Sequence, residues 1–144
     1  MYSSDRDQLR RGWVDAWHKR NQPERCSPLE LQIIGIIQEH PEYHALLEAG
    51  LTGGEYLPEM GETNPFLHMS LHLALREQVT TDRPAGIAHI HRQLTLLHGS
   101  AHEAEHAMMD CLAEALWQAQ RSGQVPDEQV YLNCLKNLLK EKQT

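Results

Sequence analysis

Four histidines of this chain stand in two i,i+4 pairs, His68/His72 and His102/His106, and both pairs fall inside apolar stripes of helical period. Residues four apart meet on one face only in a helix, so the pairs demand helices. Eight of the ten histidines take inward-facing positions; His18 and His89 do not. Random placement of ten histidines would give about 0.7 such pairs. The chain has four, at 40/44, 68/72, 98/102 and 102/106, of which the first and third cross breaks at Pro41 and at Gly99-Ser100. An imidazole is costly to bury without a partner and is a frequent ligand for transition metals. The pattern therefore points to a polar interior built around one or two metal ions.

The rest of the composition agrees with helices. Leu, Ile, Ala, Met and three Trp supply the apolar residues, there is one Phe, and strand-type alternation is almost absent. We expect an all-α fold, a single-domain bundle of about six helices over residues 1–144 with short antiparallel connections. The formal charge of −7 and the lack of a basic stripe exclude a nucleic-acid-binding surface of the usual kind. No apolar run reaches membrane-spanning length. Cys26, Cys111 and Cys134 are odd in number, widely spaced and without a CxxC, so neither a disulfide framework nor a zinc ribbon is expected. With no apolar signal region in MYSSDRDQLRRGW, the expected setting is the reducing cytoplasm.

Helix boundaries are marked by caps and breakers. A first helix is expected over about Asp5–Arg20, capped by Ser4, with Leu9, Trp13, Ala16 and Trp17 on its inner face. Ser27-Pro28-Leu29-Glu30 predicts a capping box. The stripe Leu29, Ile33, Ile36, Ile37 follows, and His40 extends it to the break at Pro41. A short helix with His44, Leu47 and Glu48 comes next, then a long glycine-rich loop over 49–63. Asn64-Pro65 starts a helix to about Thr80. Later helices are expected over Pro84–His98, stopped by Gly99, over Ala101–Arg121, capped by Ser100 with Glu103 completing a second box, and from Pro126 onward. Setting His68 at zero on its helix puts His72 near about +40°, Leu75 near about −20° and Val79 near about +20°. On the helix after Ser100 the same construction groups His102 and His106 with Met109, Ala113, Leu116 and Trp117, leaving Glu105 and Asp110 on the shoulders and Cys111 on the far side. His91 and His98 share the inner face of the preceding helix with Ile87, Ile90, Leu94 and Leu97.

The candidate ligands are His40, His44, Glu48, His68, His72, His102, Glu105, His106 and Asp110, with a site between the helices carrying His44, His68/His72 and His102/His106. Glu30 and Glu103 are assigned to capping. Imidazole with carboxylate and no clustered thiol suits a divalent transition metal, iron first, then zinc or manganese. Open coordination positions would allow O₂ or a small molecule as partner, and hydrolytic or O₂-dependent chemistry. A homodimer is compatible with the sequence, and whether the chain is an enzyme stays open. Two other readings stand beside this one: a metal-free interaction or pH-sensing module stabilised by buried histidines, and a haem-binding bundle with axial His.

The stretches His40-Pro-Glu-Tyr-His44, Gly61-Glu-Thr-Asn-Pro-Phe-Leu-His68-Met-Ser-Leu-His72 and His102-Glu-Ala-Glu-His106 resemble a family of small bacterial proteins catalogued as a domain of unknown function. That resemblance covers nearly the whole chain and implies no activity. A weaker likeness is to hemerythrin-type bundles. It implies His40 as a first ligand, His44 and Glu48 as an HxxxE pair, His68 and His72 as HxxxH, and His102 or His106 with Asp110. The chain departs from that pattern in the proline between His40 and His44 and in a final spacing one residue short. DinB-like bundles, with one metal on three His, fit comparably.

Overall fold

The structure, a computed structural model, describes residues 2–52 and 64–143. It is all-α: the described residues form α1 (Tyr2–His18), α2 (Pro28–Gln38), α3 (His44–Glu48), α4 (Pro65–Thr81), α5 (Ile87–His98), α6 (Ala101–Ser122) and α7 (Glu128–Gln143). Short 3₁₀ turns at Pro23–Arg25 and Pro41–Tyr43 interrupt the early helices. No helix among the described residues is long and apolar enough to cross a membrane. Much of the expected loop, residues 53–63 with Gly53, Gly54, Pro58 and Gly61, lies outside the described residues. Contacts gather into two compact units, Met1–Leu73 and Ala74–Thr144.

In the first unit, α1 packs on α2 and α3. The core holds Trp13, Val14, Ala16 and Trp17 from α1 and Ile33, Ile34, Ile36 and Ile37 from α2, with Leu47, Phe66 and Met69. Ser27 caps α2 as expected. Its Oγ accepts from Glu30 N, and Glu30 Oε1 accepts from Ser27 N, at 3.1 and 3.0 Å. This reciprocal box satisfies two helix-end donors. Three expectations here are corrected. Helix α1 begins at Tyr2, so Ser4 lies inside it. Leu9 and Leu29 are exposed, not core. The α1 inner face is instead rotated toward Arg10, which is buried, donates to Thr52 O at 2.9 Å and lies over the Phe66 ring.

In the second unit, α5, α6 and α7 pack pairwise. Gly99 at φ 89° and Gly123 at φ 68° end α5 and α6 in the left-handed region that glycine adopts without a Cβ clash. Helix α5 starts at Ile87, later than expected, because Gly86 sits at φ 102° and Asp82 Oδ1 reaches over to accept from Gly86 N and Ala88 N. Helix α7 starts at Glu128, with Asp127 Oδ1 capping Gln129 N and Val130 N in place of a Pro126 start. Leu97 is at the surface. The largest revision concerns α6. Its buried residues are Ala104, Glu105, Met108, Met109, Cys111 and Leu112. That face is turned about 100° from the stripe read off the sequence, so Ala113, Leu116 and Trp117 face outward.

The same rotation overturns the reading that the cysteines form no disulfide. Cys111, on the buried face of α6, is bonded to Cys134 of α7, with the two Cα atoms 5.8 Å apart. The two positions stand at matching distances either side of the Gly123 turn, which is where a helical hairpin brings residues face to face. Cys26 is the free thiol. Denatured without reductant, the chain should show one reactive thiol by maleimide labelling and mass spectrometry, rising to three after reduction. Three reactive thiols before reduction would contradict the α6–α7 pairing.

Candidate metal centre

Pro41 sets the geometry of the first group. A residue before proline avoids the α region, and His40 leaves the helix at φ −127°, ψ 69°. Its ring turns back over the last turn of α2, where Nδ1 lies 2.8 Å from Ile36 O. A carbonyl oxygen only accepts, so Nδ1 carries the proton and the neutral ring has its lone pair on Nε2. His44 acts similarly: its Nε2 donates to Ile37 O at 2.8 Å, and its ring lies 4.5 Å from the Trp17 ring. Each imidazole thus adds a second donor to a carbonyl that already accepts from a backbone amide, Ile36 O from Glu39 N at 3.1 Å and Ile37 O from His40 N at 2.9 Å.

Asn64 Oδ1 caps α4 by accepting from Phe66 N and Leu67 N. One turn on come His68 and His72. Their ring centroids are 5.0 Å apart, and the His40 ring lies 5.1 Å from His68 and 4.7 Å from His72. The three residues offer ring nitrogens within 4.8 Å of one another. His40 and His72 are fully buried, and His68 is half-buried. Tyr43 completes the surroundings. It stacks on His40 at 5.6 Å and 8°, and meets the edge of His68 at 6.2 Å. Burial, reinforced by the Glu42 charge, pushes its phenol up, so it stays neutral near pH 7. Sequence reasoning missed Tyr43. The available signal was its place three residues after His40 in a 3₁₀ turn, where side chains at i and i+3 eclipse.

A second group opens α6. Ser100 Oγ accepts from Glu103 N, but only this half of the expected box forms. Glu103 instead joins His102 and His106 as a potential ligand, all three offering atoms within 4.8 Å of one another. The two rings lie 4.2 Å apart. This set is partly exposed and mixes imidazole with carboxylate.

The remaining sequence candidates are engaged elsewhere. His44 faces Ile37 O and Trp17. Glu48 is exposed and pairs with Arg20. Asp110 is exposed on α6. Glu105, expected on a shoulder, is buried, and both its oxygens accept from Arg76 Nε, at 3.3 and 3.2 Å. His91 is half-buried on α5, and its Nε2 has no hydrogen-bond partner among the described residues. Burial holds its imidazolium below the ordinary histidine range. The Glu105 charge opposes that shift, and Arg76 and Arg92 add to it. His98 is partly buried at the end of α5, and His18 and His89 are exposed, as expected.

A family described as Domain of unknown function (DUF1841) matches residues 5–137. No curated protein and no solved structure matches the chain, so the likenesses to hemerythrin-type and DinB-like bundles gain no support there.

Two consequences can be measured. Because His91 binds its proton less readily folded than unfolded, its contribution is intact above about pH 6.5 and is lost as the pH falls below that value toward the folded pKa. Urea titrations of His91→Leu should lose less stability than the parent between pH 7 and lower values; parallel slopes would contradict this. Arg76→Ala removes the guanidinium that meets the buried Glu105 carboxylate and should cost about 3 kcal/mol, whereas a loss within about 0.5 kcal/mol would fit only a surface pair.

Proposed function

We propose that this chain, which belongs to the DUF1841 family, a domain of unknown function, is a transition-metal-binding protein with His40, His68 and His72 as its principal donors. One observation carries the reading. Three imidazoles from two segments converge, and one of them, His40, is held by a backbone carbonyl in the tautomer that leaves Nε2 to face a ligand. Ligating histidines are typically fixed in this way, with the second ring nitrogen donating to an outer oxygen. Bonds of about 2.0–2.1 Å put tetrahedral nitrogens about 3.4 Å apart. A set already within 4.8 Å needs only a small closure of the rings to take an ion.

Neutral imidazoles suit iron, zinc, copper or nickel better than manganese. We place iron first, zinc next and manganese last, with His102, Glu103 and His106 as a donor set for a second ion. Hydrolytic or O₂-dependent chemistry would follow from coordination positions that protein atoms do not fill. The Cys111–Cys134 bond weighs toward an oxidising compartment over the cytoplasm expected from the sequence.

The edge-to-face packing of the three rings favours a second reading, a metal-free histidine network that holds the fold by itself. Elemental analysis and melting separate the two. Protein purified without added chelator should hold bound metal, which His40→Ala and His72→Ala lose and His89→Ala keeps. Metal at a hundred times its Kd should add about 2.7 kcal/mol to unfolding. Metal-free protein whose melting is indifferent to iron, zinc and chelators would favour the network.

A further inference from the structure

A cavity of about 410 Å³ in the second unit has no histidine among its described lining residues. Sites for small molecules typically span about 300–1,000 Å³ and combine apolar walls with a few placed polar groups. The walls here come from the turn between α4 and α5, from α6 and from the start of α7, all within Ala74–Thr144. Leu112 and Leu116 of α6 and Val125 just before α7 supply apolar surface. Leu116 and Val125 are 41% and 86% exposed, so an apolar body seated against them would take both from water. Tyr131 is buried along the cavity, and its hydroxyl donates to Gln78 Oε1 at 2.7 Å. Burial pushes the phenol above its usual range, which keeps that donor protonated. With its carbonyl so engaged, the cavity-lining Gln78 has N–H donors to offer a ligand.

The lining also carries one charge of each sign, Arg83 and Glu128. Arg83 N donates to Gln78 O at 3.0 Å, so the guanidinium and the Gln78 amide arise from the same corner. Glu128 opens α7, one turn before Tyr131. The Tyr131 side chain runs from that turn to Gln78. A ligand lying along it has Glu128 toward one end and Gln78 with Arg83 toward the other. The Cys111–Cys134 bond joins the α6 and α7 walls, next to Leu112 and three residues past Tyr131. A cavity held in this way costs an entering ligand little reorganisation. We propose that this cavity binds a small zwitterion with an apolar body, of the class of leucine or phenylalanine, with its carboxylate on Arg83 and Gln78 and its ammonium on Glu128. Such binding needs no metal and stands apart from the donor sets described above. The paired charges also discriminate: a simple carboxylate brings nothing for Glu128, and a simple amine nothing for Arg83.

The experiment titrates the full, oxidised chain with leucine and with phenylalanine and follows backbone amides by proton–nitrogen correlation spectra. Amides around Gln78, Arg83 and Glu128 should shift saturably with at least one of the two, at a Kd below about 10 mM. Relative to the amino acid that binds, glycine, which lacks the apolar body, should bind at least about tenfold more weakly. Isocaproate, which lacks the ammonium, and isoamylamine, which lacks the carboxylate, should be weaker than leucine by a similar factor. Arg83→Gln and Glu128→Gln change exposed side chains, so well-dispersed spectra should persist. Each should weaken the amino acid at least about tenfold. Saturable shifts at this cavity with neither amino acid overturn the inference. So does parent-like affinity in either variant, or isocaproate or isoamylamine that binds as tightly as leucine.

Discussion

The end of α2 is the constraint on which the first unit turns. Proline stops α2 from continuing, and its last carbonyls accept from the turn that follows, Ile36 O from Glu39 N and Ile37 O from His40 N. Two imidazoles add a second donor to each of these carbonyls, His40 on Ile36 O and His44 on Ile37 O. A cation-forming side chain near a helix C-terminus is also favoured by the helix dipole. The bond that closes the helix simultaneously fixes the His40 ring, its tautomer and its proximity to His68 and His72. Capping and ligand positioning are one interaction, which is why treating the kink at Pro41 as either structural or functional divides what the chain combines.

Much of this was legible locally. Ser27-Pro28-Leu29-Glu30 encodes its own capping box, Asn64-Pro65 its own helix start, and Gly99-Ser100 a stop followed by a cap; each depends on atoms within four residues. The His68/His72 pair was legible because Leu75 lies on the same face and is fully buried. What escaped depends on partners far along the chain. The face of α6 could not be phased correctly because Glu105 looks like a surface residue until Arg76, on another helix, is known to meet it. The disulfide followed from that same unphased face. Tyr43 escaped because a short 3₁₀ turn has no periodicity to extrapolate.

The second unit shows how differently a polar interior can be maintained. Glu105 is balanced by a cation that contacts both its oxygens, so its cost of burial is met by charge. Among the described residues His91 Nε2 has no hydrogen-bond partner, and burial disfavours its charged form.

X-ray absorption at the metal edge tests the central claim most directly, because it reads the identity of the bound atoms. Protein loaded with one equivalent of zinc should show a first shell of nitrogen or oxygen at about 2.0–2.1 Å, with the outer-shell scattering of several imidazole rings that diminishes in His40→Ala and His72→Ala. A first shell without imidazole scattering, or one containing sulfur from Cys26, would contradict it.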